Sequence, residues 1–120
     1  MAQHNDTGKR GEALALELLQ QKKYVILETN WRYGRLEVDI IAMDGDTLVF
    51  VEVKTRTFDY YGKPETFVDK KKMRLLQRAA QAYMHQIQHD WAIRFDVVAV
   101  LLKSTSGLEV RHLEEAFFPW

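Results

Sequence analysis

The chain has 120 residues, of which 47% are hydrophobic and 28% are charged, a composition that suits one compact globular domain and excludes disordered and fibrous classes. It has no cysteine, which excludes a disulfide framework, a thiolate zinc site and a cysteine nucleophile. Basic and acidic residues number 17 each, so any binding to nucleic acid must come from a local basic patch rather than from bulk charge.

The hydropathy of the chain and the composition of its N-terminus indicate where in the cell the protein is found. No apolar run reaches the roughly 18 residues that a transmembrane helix needs, so no membrane partner is expected. The segment 1–10 is polar and lacks the apolar core of a signal peptide. We therefore expect a cytoplasmic protein.

Apolar periodicity and turn residues divide the chain into helices and strands. Helices are predicted over 7–23 and 66–88, strands over 24–31, 35–43, 47–56 and 95–102, and an edge strand over 108–113. A loop is predicted over 57–65. The order α-β-β-β-α-β(-β) predicts an α/β fold, a mixed β-sheet flanked by helices. We expect one domain over 1–120, with 1–7 and about 114–120 as flexible tails.

The turn Asp44-Gly45-Asp46 separates two apolar runs and predicts a β-hairpin. If Gly45-Asp46 forms the loop, Asp39 lies opposite Glu52, and Glu37 lies opposite Lys54. With Asp44-Gly45 as the loop instead, Glu37 faces Glu52. Asp39 is then the diagonal neighbour of Glu52. Because side chains alternate along a strand, either register predicts that all four charged side chains share one face.

Such a face would bring carboxylates together beside apolar residues. Like charges opposite each other destabilise a sheet, and burial raises the pKa values of carboxyl groups. A bound Mg²⁺ ion would remove that repulsion, because Mg²⁺ prefers hard oxygen ligands. Lys54 could then offset negative charge on a phosphate or help to activate a water. The alternative is a solvent-facing hairpin end, in which Glu37 and Lys54 form an ordinary cross-strand ion pair.

Basic residues cluster near the start of the second predicted helix, where they oppose the helix dipole and so are not explained by local stability. The members of this cluster are Lys70, Lys71, Lys72, Arg74 and Arg78. Contacts to DNA phosphates explain them, and Arg32 and Arg56 extend the same patch around the hairpin. A solvated polar helix face explains them equally well.

Aromatic and histidine residues offer two further candidate sites. Tyr60 and Tyr61 lie in the predicted loop, where they either stack on unpaired bases or fold back over the core. His85 and His89 have the spacing of a zinc pair. We interpret them as exposed histidines at a helix end, since no thiolate is available and no glutamate stands between them.

Glu12 lies on the apolar side of the first predicted helix, between Ala15, Leu16 and Leu19. A lone carboxylate in such a position needs a partner. The alternative is that Glu12 is a first-turn acid favoured by the helix dipole.

Several motifs occur in order along the chain: Gly11-Glu12, Asn30-Trp31-Arg32, Glu37-Val38-Asp39-Ile40-Ile41-Ala42, Phe50-Val51-Glu52-Val53-Lys54-Thr55-Arg56 and Arg94-Phe95-Asp96-Val97. Together they resemble the YraN-like family of bacterial proteins, roughly from Gly8 to Val100. The Val-Glu-Val-Lys-x-Arg block with its upstream Glu-x-Asp makes the match specific. That family is similar to archaeal Holliday-junction resolvases and belongs with the restriction-endonuclease-like, PD-(D/E)xK fold. One departure is Leu36, which stands where the family usually has glycine.

The resemblance implies a metal-dependent endonuclease that hydrolyses phosphodiester bonds in branched or structured DNA. Asp39 and Glu52 would bind Mg²⁺ or Mn²⁺, and Lys54 would be the catalytic lysine. Glu12 would match the extra acidic residue of the resolvase-like branch. A resolvase cuts two strands symmetrically, which by analogy implies a homodimer. One alternative is a nucleic-acid-binding module of this fold with little or no cleavage, and another is an interaction protein that uses the sheet face for a protein partner.

Overall fold

The fold is known from a computed structural model, which describes residues 2–57, 69–103 and 107–117. Its elements in chain order are α1 (Ala2–Gln21), β1 (Val25–Tyr33), β2 (Leu36–Asp44), β3 (Thr47–Thr57), α2 (Lys70–Ile87), β4 (Ile93–Lys103) and β5 (Gly107–Phe117). The predicted order is confirmed, and so is the mixed α/β fold with helices flanking the sheet.

A five-stranded sheet with the order β1-β2-β3-β4-β5 forms the centre of the molecule. Neighbouring strands are antiparallel except β3 and β4, which are parallel. Parallel neighbours need a long crossover connection, and α2 lies within this one. No helix in the described part of the chain is long and apolar enough to cross a membrane.

The element bounds differ from the predicted ones at several ends. The second helix begins at Lys70 rather than at residue 66, because Asp69 has an extended backbone and caps it by accepting a hydrogen bond from the N–H of Lys72 at 2.8 Å. The fifth strand runs to Phe117 rather than to residue 113, and Phe117 is buried there against Phe95. The predicted loop, with Tyr60 and Tyr61, lies outside the described residues.

Each face of the sheet has its own apolar core. Leu48, Phe50 and Phe95 pack with Leu76 and Tyr83 of α2 on one face. On the other face, buried residues of the sheet pack with α1; they include Ala15, Leu19, Ile40, Val49, Val51 and Val98. The α2 face and the α1 face are therefore distinct surroundings for the charged residues of β2 and β3.

Gly11 lets α1 approach β3 closely. A Cβ atom at this position would overlap the hydroxyl oxygen of Thr55 and would lie 3.7 Å from a methyl group of Val100. Glycine thus serves here for close packing rather than for backbone freedom, and it places the following residue, Glu12, against the sheet.

Candidate functional site

The candidate site lies where β2 and β3 separate. Their register pairs Asp44 with Thr47, so the loop is Gly45-Asp46 and the first of the two predicted registers is correct. Backbone pairing between the two strands ends at Ile40 and Val51. Beyond that pair β2 continues only with β1, and β3 continues only with β4. Asp39 and Glu52 are the first residues past the fork.

The alternation of side chains in β2 slips by one residue at Asp39. Val38 packs on the α2 face, yet Ile40 packs on the α1 face, although a regular strand would place both on the same face. On the neighbouring strand β1, Asn30 lies between the residues that pair with Val38 and Ile40, and it has a φ of 51°. Asparagine adopts this left-handed conformation more readily than most residues. Asp39 therefore sits at an irregularity between the two faces.

The prediction that all four charged side chains share one face is wrong for Glu37. Its carboxylate pairs with Arg32 on β1, Oε2 to Nη2 at 3.6 Å, and not with Lys54. Because the alternation of side chains slips at Asp39, Glu37 and Glu52 lie on opposite faces of the sheet. The alternative interpretation, a cross-strand ion pair between Glu37 and Lys54, is therefore wrong for the described strands β2 and β3.

Asp39 is held by the backbone of β3. Its Oδ2 accepts a hydrogen bond from the N–H of Val53 at 2.7 Å, on the side of β3 from which β2 has diverged. Burial, and then the negative charge of Glu52, raise the pKa of Asp39 to about 7, while the bond from Val53 acts in the opposite direction. A hydrogen bond between the two carboxyl groups adds to the rise. The two carboxyl groups are therefore direct neighbours.

Glu52 is buried, with 3% of its side chain exposed, and two lysines neutralise it. Lys54 Nζ lies 3.1 Å from Glu52 Oε2 and Lys72 Nζ lies 3.2 Å from the same oxygen. Lys54 follows two residues later on β3 and so shares the α2 face with Glu52. Lys72 reaches it from the first turn of α2. A lysine of the predicted basic cluster thus belongs to the carboxylate site.

Glu12 approaches Asp39 from the other face. Together they line an open pocket of about 200 Å³ with other residues of α1, β1 and β2, namely Lys9, Ala13, Leu16, Thr29, Asn30 and Ile40. The charge of Glu12 also contributes to the raised pKa of Asp39.

The donor atoms suit a hard divalent cation, but they are few. Within the described residues, no three His, Cys, Asp or Glu side chains are grouped closely enough to hold a metal ion together. Asp39 and Glu52 offer a pair of carboxylates, and Mg²⁺ is commonly held by one or two carboxylates with water and substrate phosphate completing the shell. Asp39 and Glu52 fit such an open site.

The predicted DNA-contact residues divide into two groups. Lys71, Lys72 and Arg56 line an open groove of about 350 Å³ with Lys54, Asp69 and Leu75. Lys70, Arg74 and Arg32 do not line that groove: the first two lie exposed on α2, and the third lies on the far edge of the sheet with 73% of its side chain exposed. The basic groove therefore adjoins the carboxylate pair directly.

His89 corrects the interpretation of both histidines as exposed. His85 is exposed on α2, whereas His89 lies buried beyond the end of the helix, with 5% exposure. Its Nε2 lies 3.0 Å from the carbonyl oxygen of Ala92, and its ring packs against Trp91. His89 is a packed structural residue.

A second buried polar cluster was missed by the sequence analysis. Asp96, wholly buried on β4, accepts two hydrogen bonds from the guanidinium of Arg94, at 2.8 and 3.0 Å, and one from His112 Nε2 at 2.7 Å. Burial raises the pKa of Asp96, but hydrogen bonds from His112 and Arg94 outweigh it and hold that pKa below its usual range. The sequence signal for this cluster is the pair Arg94 and Asp96, two charged residues two positions apart in an otherwise apolar strand.

Comparisons with known proteins identify the family. The model of the uncharacterised protein family UPF0102 matches residues 11–100. A UPF0102 protein of Christiangramia forsetii is 45% identical over 118 residues, which is 98% of each chain. One from Flavobacterium psychrophilum is 47% identical over 98% of each chain, and one from Bacteroides thetaiotaomicron is 42% identical over 99% of this chain and 98% of its own. The chain belongs to the UPF0102 family. The YraN-like resemblance is confirmed to this extent, and the family description names no activity.

In this UPF0102 member, Asp39 should make stability depend on pH. Folding raises the pKa of Asp39 from 3.8 to about 7. Protonation of this carboxyl group therefore stabilises the folded state fully below about pH 4, and this contribution to the free energy of unfolding is lost as the pH rises through 7. Asp39→Asn keeps an oxygen for the Val53 N–H but carries no charge. In EDTA, the variant should gain stability relative to wild type between pH 5 and pH 8 by on the order of 1–4 kcal/mol.

Urea unfolding of both proteins at several pH values measures this difference. Other titrating groups largely cancel, because they are common to both chains. A difference in stability that stays constant from pH 5 to pH 8 would show that the carboxyl group of Asp39 has an ordinary pKa.

Proposed function

We propose that this protein is a Mg²⁺- or Mn²⁺-dependent endonuclease that hydrolyses phosphodiester bonds in branched or structured DNA. The observation that carries the proposal is the neighbouring carboxyl pair of Asp39 and Glu52 at the fork, with Lys54 on Glu52. A divalent cation bound between them would remove the repulsion of like charges in this half-buried site. The resemblance of the sequence motifs to those of Holliday-junction resolvases supports the choice of branched DNA and a homodimer. We also propose that the protein acts in the cytoplasm.

The roles of the residues follow from their contacts. Asp39 and Glu52 would hold the metal ion, which acts as a Lewis acid and makes a bound water more acidic. The backbone N–H of Val53 fixes the orientation of Asp39. Lys54, with 21% of its side chain exposed, can contact Glu52 and a phosphate from the same position, where it stabilises negative charge developing on the phosphate oxygens. Glu12 adds negative charge beside Asp39.

The basic groove accounts for substrate binding by a chain of zero net charge. Lys54, Arg56, Lys71 and Lys72 line it together, so the positive charge lies next to the carboxylate pair. Phosphate contacts fix the position of DNA without reading its sequence. The arrangement therefore suits recognition of DNA shape and not of base sequence.

A second candidate function is a nucleic-acid-binding module that does not cleave. Two observations favour it: no set of three metal-binding side chains occurs in the part of the chain that is described, and two lysines already neutralise Glu52. Such a module would bind DNA equally well in EDTA and in Mg²⁺.

Thermal unfolding with and without metal tests the endonuclease proposal. Millimolar Mg²⁺ or Mn²⁺ should raise the melting temperature of the wild type by several degrees, since a ligand that binds only the folded state stabilises it. The rise should disappear in Asp39→Asn and in Glu52→Gln. Glu37→Gln, which removes a nearby carboxylate of β2, is the matched control and should keep it. The same melting temperature with and without metal, both for the free protein and for its complex with DNA, would rule out the metal-dependent enzyme.

A further inference from the structure

Lys72 is placed between two negative partners. One is Glu52, whose Oε2 is contacted by the ammonium groups of both Lys72 and Lys54. The other is whatever anion enters the basic groove, which Lys72 also lines and in which 35% of its side chain is exposed. Two ammonium groups on one carboxylate leave a surplus positive charge on the groove side of the site.

The backbone of Lys72 is fixed while its side chain is long and flexible. Asp69 caps α2 by accepting a hydrogen bond from the Lys72 N–H at 2.8 Å, so the helix N-terminus is already occupied by a carboxylate. The groove offers an anion the charged side chains of Lys54, Arg56, Lys71 and Lys72. A lysine side chain has four rotatable carbon–carbon bonds and can turn from Glu52 toward the groove without moving the helix.

The contact between Lys72 and Glu52 opposes metal binding. An ammonium group 3.2 Å from Glu52 Oε2 neutralises the charge that a cation would use and repels a cation held by Asp39 and Glu52. A DNA phosphate in the groove offers Lys72 another negative partner, with a strong charge-assisted hydrogen bond. Once Lys72 leaves, Lys54 is the one ion-pair partner that the described residues still give the buried carboxylate of Glu52.

We propose that Lys72 is a positioning residue that couples metal binding to substrate: it holds Glu52 in the free protein and passes to a DNA phosphate when DNA enters the groove. The inference rests on the proposed metal-dependent function and adds regulation to the same site. A protein built in this way holds its metal weakly until DNA is present, which limits hydrolysis to the bound substrate.

Mn²⁺ binding to the DNA-free full chain tests the first half of the proposal. Isothermal titration should show that Lys72→Gln binds Mn²⁺ roughly tenfold more tightly than wild type, a change equal to about 1.4 kcal/mol. A merely structural role for Lys72 would weaken metal binding when the residue is lost. Lys70→Gln removes a lysine of the same helix turn that does not line the groove and should leave Mn²⁺ affinity unchanged. Lys72→Arg retains a cation and should stay close to wild type.

Binding of a synthetic four-way junction in EDTA tests the second half. Lys72→Gln should bind the junction several-fold more weakly than wild type, because one phosphate contact is lost. Unchanged junction affinity together with tighter Mn²⁺ binding would overturn the transfer of Lys72 to phosphate. Equal Mn²⁺ affinity in Lys72→Gln and wild type would overturn the coupling and leave the endonuclease proposal standing. No Mn²⁺ binding by either protein would overturn both.

Discussion

Replacing Arg94 with methionine should lower the free energy of unfolding by about 3–5 kcal/mol, the usual cost of removing one partner from a buried ion pair. Asp96 is wholly buried, and Arg94 gives it two of its hydrogen bonds. The same guanidinium reaches Asp44 at 2.9 Å and the hydroxyl of Tyr24 at 2.5 Å. The variant would thus leave a buried carboxylate with His112 and one backbone N–H, and would remove the side-chain contact from β4 to Asp44 at the end of β2.

Urea unfolding at pH 7 measures this loss, with Arg111→Met as the matched control. Arg111 also pairs with a carboxylate, that of Glu109, but 47% of its side chain is exposed. The control should cost less than about 1 kcal/mol, as exposed ion pairs do. If Arg94→Met costs no more than Arg111→Met, the Asp96 cluster does not hold the fold together in the way its contacts indicate.

The order of the elements was predictable because its signals are local. The Asp-Gly turn between two apolar runs predicted the hairpin, and Glu52 and Lys54 share one face as predicted because they are two residues apart on β3. Helix α2 was predicted from its apolar spacing, and only its first turn was misplaced. The N-cap residue Asp69 is the local signal for the true start of the helix.

The fork was not predictable from alternation. A strict period of two assumes regular strands, whereas Asn30 has a positive φ and the side chains of β2 slip at Asp39. That slip removed Glu37 from the site and turned Asp39 toward the N–H of Val53. Asn30 was a weak local signal of this irregularity, because asparagine tolerates the left-handed backbone conformation.

Contacts between distant elements were the other limit. Lys72 was singled out only as a basic residue near a helix start, and nothing in its neighbours indicated that it would meet Glu52 across the α2 face. The ion pair depends on how α2 packs on the sheet, through residues such as Leu76 and Tyr83. The effect of this ion pair on metal binding therefore depends on the folded structure and has no local signal in the sequence.

Lys54→Ala should lower the rate of DNA cleavage by about 10²–10³-fold, the loss expected when one group that stabilises developing charge is removed. Lys54 contacts Glu52 and borders the groove, so its ammonium lies where the carboxylate site and a bound phosphate meet. The measurement is single-turnover cleavage in Mn²⁺ of a panel of DNA substrates: duplex, flap, fork, four-way junction and single strand. The branched substrates should be cut fastest.

Folding must be separated from chemistry in this experiment. Lys54→Ala keeps Lys72 on Glu52, so the buried carboxylate retains a partner and the variant should fold. Junction binding in EDTA should fall by a few-fold only, far less than cleavage, because the groove keeps Arg56, Lys71 and Lys72. Lys54→Arg should recover binding but little cleavage, since a planar guanidinium does not place its charge where an ammonium does.

Cleavage at the same rate in wild type and Lys54→Ala would mean that the activity comes from a contaminating nuclease. Binding without cleavage in the wild type would decide for the nucleic-acid-binding module.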